Sequence, residues 1–203
     1  MEIGIGWTPN IVMFLMGAAF TTAVLFLTGR CARNPEHVLI PCKDTFEATR
    51  ATLEKTIPPL DYAYREPLQS GNRKAALGAL RALPRFNNFT KEPRDFGKLL
   101  DVIGKHGVKA VQYQIGNPLT ATTMAKYQVE AGLFLPVTVL LSVDAGGLVA
   151  FKYVRPRSLM SQFKHRALYE AATQLDRDLL DMLSQIAGWD RPGQWNDKTK
   201  SRS

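Results

Sequence analysis

The sequence predicts an α+β chain: one N-terminal transmembrane helix, then a single domain mixing strands and helices. Three observations carry this. Residues 11–27 read IVMFLMGAAFTTAVLFL, without charge or proline, inside an uncharged run over residues 3–29. A helix rising about 1.5 Å per residue lets such a run cross a hydrocarbon core of roughly 30 Å. Residues 137–143 and 148–154 are rich in β-formers and flank Asp144-Ala145-Gly146-Gly147, the pattern of a hairpin. Residues 167–186 repeat apolar side chains at helical spacing. The chain divides into a transmembrane anchor (1–29), a linker (30–36), a soluble domain (37–188) and a polar basic tail (189–203).

The anchor reads as uncleaved. A signal peptide needs a basic start and a small-residue cleavage site, whereas residues 1–10 hold no Lys or Arg and the apolar run ends in Thr28-Gly29-Arg30-Cys31. Only Glu2 precedes the run, while Arg30, Arg33 and Lys43 follow it. Positive flanks stay on the cytoplasmic side, so the expected placement is the bacterial inner membrane, single-pass, with the N-terminus outside and the soluble domain cytoplasmic. Ala19 and Ala23 form a small-xxx-small pair that lets another helix approach closely.

After the linker, residues 37–43 (HVLIPCK) read as a strand. Asp44 is expected to cap a helix, with Glu47 as capping-box partner, carrying Phe46, Thr49, Leu53 and Ile57 on one face until Pro58-Pro59. Residues 62–65 read as a short strand. Residues 73–83 form an amphipathic helix with Ala76, Leu77, Leu80 and Leu83 on one side. Residues 84–93 read as a loop containing Asn87-Asn88. Residues 95–105 read as a helix with Phe96, Leu99, Leu100 and Ile103 inward, ended by Gly104 and Gly107.

Residues 108–115 (VKAVQYQI) alternate as a strand whose phase slips at Ala110-Val111, as a bulge would make it. Gly116-Asn117-Pro118 breaks it, and residues 120–132 read as helical. Leu135-Pro136 opens the hairpin, Pro156 closes it, and residues 158–163 begin another helix. In the hairpin, Leu140, Leu141 and Val143 are expected in the core, together with Leu175, Leu179 and Met182 of the long helix.

The chain carries 26 Lys and Arg against 18 Asp and Glu, a net charge of +8. Lys152, Arg155, Arg157, Lys164, His165 and Arg166 form a run with no acid before Glu170. On a membrane-tethered domain such a run points to anionic lipid headgroups or an acidic partner, at about 1 kcal/mol per basic residue near the surface. Nucleic acid is disfavoured, because no nucleic-acid fold signature accompanies the charge.

Cys31 and Cys42 stand in no C-x-x-C pair and beside no His, and His37, His106 and His165 lack ligand spacing, so no metal site and no cofactor is expected. Asp176, Asp178 and Asp181 read as a solvated helix face. There is neither a phosphate-binding glycine loop nor a G-x-S-x-G elbow, and nothing in the sequence supports an enzyme.

Gly116-Asn117-Pro118, the helix after it, Gly132-Leu-Phe-Leu-Pro136 and the hairpin ending in Tyr153-x-x-Pro156 resemble, in order and spacing, the bacterial and archaeal family called domain of unknown function 302. The resemblance is good over residues 108–186 and loose before them. It implies a curved antiparallel sheet packed against helices in a TATA-binding-protein-like layout. It also implies a homodimer as a habit of the family, and it implies no catalytic residue.

The resulting expectation is a non-catalytic accessory or assembly subunit, docked onto a larger inner-membrane protein complex, with electron-transport complexes as natural hosts. Ala19 and Ala23 would dock the span, and Arg155, Arg157, Lys164 and Arg166 would face headgroups or the partner. The alternative is a tethered ligand-binding or carrier domain with a pocket near Asn117, where Thr120, Thr122 and Thr123 offer hydroxyls beside a helix start. A third reading uses Cys42 in redox or sulfur chemistry.

Overall fold

A computed structural model describes residues 35–195. The run 1–29, with Ala19 and Ala23, lies outside the described residues, as does the tail from 196. No described helix is long and apolar enough to cross a membrane.

The described elements are β1 (His37–Pro41), α1 (Phe46–Thr56), α2 (Arg65–Gln69), α3 (Arg73–Ala82), β2 (Thr90–Asp95), α4 (Phe96–Val102), β3 (Ala110–Gly116), α5 (Pro118–Ala125), β4 (Val137–Val143), β5 (Val149–Val154), α6 (Pro156–Met160) and α7 (Arg166–Ile186). Short 3-10 helices occupy Val129–Phe134 and Ser161–Phe163. The strands form one antiparallel sheet in the order β1-β5-β4-β3-β2. The α+β class and the antiparallel sheet packed on helices expected from the sequence hold.

Strand alternation gives the sheet two different faces. Val38, Ile40, Val111, Tyr113, Ile115, Val137, Val139, Leu141, Phe151 and Tyr153 share one face. They join a single core with Phe46, Leu53 and Ile57 of α1 and Leu168, Leu175, Leu179, Met182 and Leu183 of α7. The other face is open. Leu39, Lys152, Leu140, Gln112 and Arg94 stand in one row across all five strands, and Leu39 is 45% exposed. Leu140, expected in the core, belongs to this row because the pleat sends it opposite to Leu141.

Several local expectations are corrected. The cap of α1 is Thr45, whose hydroxyl accepts from the Ala48 amide at 3.3 Å. Glu47 instead pairs with Lys109 at 2.6 Å. Residues 62–65 turn into α2 rather than forming a strand. The loop over 84–93 contains a tight turn at Asn87-Asn88, both at positive φ (47° and 68°), closed by reciprocal Phe86–Phe89 backbone bonds. That backbone suits asparagine and matches strand twist, and it launches β2.

The polar composition of β2 (TKEPRD) hid it in the sequence. It is an edge strand, and Lys91, 6% exposed, replaces an apolar contact by donating its ammonium to the carbonyls of Glu54 and Ile57 at the end of α1. Burial lowers the pKa of that ammonium. There is no bulge at Ala110: the β3–β4 register is regular, and Ala110 is buried on the open side opposite Ser142. The phase slip arises because both faces are covered there.

In α4, Leu99 and Ile103 do not point inward; they are 52% and 76% exposed. The helix expected over 120–132 ends at Ala125 and resumes as the 3-10 turn. The domain also runs past residue 188. Trp189, assigned to the tail, is buried, donates its indole N–H to the Pro41 carbonyl at 2.6 Å, and lies under Lys43 and beside Trp195.

Candidate functional site

The Gly116-Asn117-Pro118 step joins β3 to α5, and each residue has a local task. A Cβ on Gly116 would meet the Pro136 Cβ at 2.8 Å, so only glycine allows β4 to start this close. Asn117, 4% exposed, caps α5 by accepting from the Leu119 amide at 2.8 Å. Pro118 occupies the first helical turn, where no N–H is needed.

The Asn117 amide donates to Asn88 Oδ1 at 3.3 Å, and Asn88 donates to Thr120 Oγ1 at 2.7 Å. Asn117 and Thr120 are thus brought together, through the Asn87-Asn88 turn. Thr122 and Thr123 donate to the carbonyls of Pro118 and Leu119, one helical turn back. They line no part of the hollow beside Asn117.

That hollow is a cleft of about 210 Å³. Its floor is the start of β2 and the end of β3, with Thr90, Glu92, Gln114 and Gly116. One wall is Asn117, Pro118 and Ala121; the other is Leu60, Tyr62, Tyr64 and Arg65. The Arg65 guanidinium lies 3.8 Å from the centre of the Tyr62 ring, a cation–π contact that fixes both side chains. Partial desolvation and a hydrogen bond to the Glu92 carboxylate push the Tyr62 phenol above its ordinary range. Thr90 Oγ1 donates to the Gly116 carbonyl at 2.7 Å and is spent. Gln114 bonds Thr138 at 3.0 Å and leads into a second hollow of about 520 Å³ on the open sheet face, which shares Gln114 and Pro136 with the first.

The cleft therefore offers two aromatic rings, aliphatic walls, one cation and one carboxylate. Its volume exceeds the roughly 150 Å³ that admits a benzene-sized molecule. Tyr62, Tyr64 and Arg65 were not singled out from the sequence; the signal was the aromatic density of Tyr62-Ala63-Tyr64-Arg65 just after a helix stop.

The basic run behaves differently from its expected role. Arg155 reaches Glu36 at 3.3 Å and Asp176 at 3.2 Å; Arg157 reaches the same two at 3.1 and 3.4 Å. The Asp176 side chain is 3% exposed. Burial pushes its carboxyl above the usual range, against the pull of both guanidiniums. Asp176 is thus not part of a solvated face. Its place in the core stripe, four residues after Ala172 and three before Leu179, was the readable signal. His165 caps α7 by accepting from the Leu168 amide at 3.3 Å. Lys164 and Arg166 remain outside, Arg166 93% exposed and paired with Glu170 at 2.8 Å.

Cys42 is half-buried, and burial pushes its thiol up to about 11. Among the described residues no group of three or more His, Cys, Asp or Glu is placed to hold a metal ion.

No curated protein matches the chain significantly. The crystal structure of an uncharacterized conserved DUF302 protein from Bacillus stearothermophilus aligns with a TM-score of 0.52 at 16% identity, covering 76% of this chain and 98% of that one. At that identity the likeness is one of fold. The sequence matches domain of unknown function DUF302 over residues 93–186, from within β2 to the end of α7. Tyr62, Tyr64, Arg65 and Glu92 lie ahead of that stretch, so one wall of the cleft comes from outside it. Residues 93–186 of this chain are a DUF302 domain.

Proposed function

We propose that this chain is a non-catalytic, membrane-tethered binding domain whose cleft beside Asn117 takes a small, ring-bearing organic molecule. The observation that carries the reading is the cleft itself: about 210 Å³, walled by Tyr62, Tyr64, Arg65 and Pro118, with Glu92 on its floor. An apolar hollow with a few convergent polar groups is the form small-molecule sites take. One cation and one carboxylate together suit a neutral or zwitterionic ligand rather than a strong anion.

The test is native mass spectrometry of the full chain from mild detergent, paired with Ala121→Trp, which fills the cleft. A co-purifying small molecule lost in the variant supports the reading. If wild type and variant carry the same complement of small molecules, or none, and ring-bearing fragments leave the Tyr62 and Tyr64 resonances unmoved, the reading fails.

The second reading is an accessory or assembly subunit of a larger inner-membrane complex. What favours it is α4, where Leu99, Val102 and Ile103 are 52%, 85% and 76% exposed. Co-purification of a stoichiometric partner, lost on Val102→Asp with Ile103→Asp, separates it from the first. Under both readings the domain is cytoplasmic, from the placement of Arg30 and Arg33. Labelling of a tail cysteine by an impermeant thiol reagent on intact cells would overturn that topology.

A further inference from the structure

The two ends of the sheet differ in what they expose. β1 begins with His37 opposite Val154, one step beyond the Tyr153–Val139 pair, so the chain enters the domain at the end where β4 starts. That entry is pinned: the Glu36 amide donates to Ser158 Oγ at 3.1 Å, and the Arg155 amide donates to the Glu36 carbonyl at 2.8 Å. The 3-10 turn Val129–Phe134, which leads into β4, lies at the same end. Its Val129 and Leu133 are each 79% exposed, although its Phe134 packs on Phe163 at 6.1 Å between ring centres.

Tyr127 and His165 stack at 5.1 Å, which joins the 126–134 segment to the start of α7. With the Phe134–Phe163 contact, this stack sets the exposed Lys164 beside the 126–134 segment, which carries the exposed Lys126. Of the acids nearby, Glu170 is paired with Arg166, and Glu130 accepts from the Gln128 amide, which leaves its charge in place beside the two lysines. The linker 30–36, at roughly 3.3–3.6 Å per residue, spans no more than about 25 Å. The chain ahead of the described residues joins the domain at this end of the sheet.

We propose that this end of the domain is a lipid-facing surface, with Val129 and Leu133 inserting at the level of the headgroups of an anionic bilayer and Lys126 and Lys164 meeting the lipid phosphates. Apolar tips ringed by cations are the pattern of interfacial membrane contacts. The proposal moves the headgroup contact from Arg155 and Arg157, which Glu36 and Asp176 occupy, to the turn before β4. The α4 tip, at the opposite end of the sheet, faces away from the bilayer.

The test uses the full chain with Cys31→Ser and Cys42→Ser, in nanodiscs of mixed phosphatidylglycerol and phosphatidylcholine. An environment-sensitive fluorophore is attached at Leu133→Cys or, as the control, at Ile103→Cys. The expected result is blue-shifted emission at 133 that doxyl-labelled lipid quenches, and water-like, unquenched emission at 103. Lys126→Glu with Lys164→Glu should reduce the quenching at 133, as should raised salt. Both positions are exposed, so labelling leaves the core intact. Unquenched emission at 133, or quenching at 103 equal to or above that at 133, overturns the proposal.

Discussion

The Arg155–Asp176–Arg157 cluster makes the sharpest stability prediction. Asp176 Oδ2 accepts a hydrogen bond from the Arg155 guanidinium at 3.2 Å and lies 3.4 Å from Arg157 Nε, while Oδ1 is buried without a hydrogen bond among the described residues. Arg155→Met removes one charge-assisted hydrogen bond from a side chain that is 26% exposed, a loss of about 1.5–3 kcal/mol. Arg157, 37% exposed, is more screened and contributes less. Removing both leaves a buried carboxylate with no counter-charge, for which about 3–5 kcal/mol is the usual loss. With a urea dependence of about 1–3 kcal/mol per molar, the double variant should lower the unfolding midpoint by roughly 1–5 M.

The assay is urea unfolding of the full chain in mild detergent, followed by far-ultraviolet circular dichroism. Adding Asp176→Met to the double variant should recover most of the loss, since an apolar side chain there needs no partner. Arg166→Glu, at the exposed end of α7, should leave the midpoint where it was. A double variant as stable as wild type would refute the reasoning, and so would a triple variant less stable than the double. It follows that reversing Arg155 and Arg157 to glutamate reports on folding before it reports on any partner.

Three further outcomes are expected. Leu179→Ala, at a fully buried position of α7, should destabilise by about 2–5 kcal/mol; a loss under about 1 kcal/mol in the same urea assay would place the helix stripe elsewhere. Gly116→Ala drives a methyl into Pro136 at 2.8 Å and should cost about 1–3 kcal/mol by overpacking, with the Tyr62 and Tyr64 resonances shifting as the cleft floor moves; a variant as stable as wild type with unmoved spectra contradicts the close approach. In the Cys31→Ser variant, Cys42 should alkylate slowly at pH 8. A thiol held at about 11 is almost all protonated there, so the rate should climb about tenfold per pH unit until the pKa is reached. Reaction at pH 8 as fast as a free thiol would reopen redox chemistry at Cys42.

Segments whose pattern and packing agree were readable. The stripe Leu168, Leu175, Leu179, Met182, Leu183 and Ile186 is buried as its spacing implies, and the Asp144–Gly147 turn closes as its glycines predict, Gly147 at φ +83° with Asp144 accepting from the Gly146 and Leu148 amides at 2.9 Å. Where tertiary context replaced side-chain hydrophobicity, the reading failed. β2 has almost no apolar residue, and its place in the sheet comes from backbone pairing with β3 and from Lys91 capping α1. α4 fails in the opposite sense. Its period marks Leu99 and Ile103 for burial, but seven residues at an edge of the sheet meet nothing that covers them. A hydrophobic period states what a segment would bury, not whether a partner exists.

The candidate site divides along the same line. Asn117 was legible because G-N-P dictates a cap and a turn from adjacent residues alone. Tyr62 and Arg65 were not, since their value comes from facing Asn117 across a gap closed by more than fifty residues of chain. The basic run shows the converse error. Arg155 and Arg157 looked unopposed because Glu170 was the next acid in sequence, yet Glu36 lies on the chain entry to β1 and Asp176 lies on the buried stripe of α7. β1 pairs with β5, and α6 packs on α7; together these bring both acids to the exit of β5. The Tyr153-x-x-Pro156 step therefore carries a structural duty through the arginine inside it: it ties the chain entry to the long helix. That leaves Lys164 and Arg166, just beyond it, as the cations of this run with side chains in solvent.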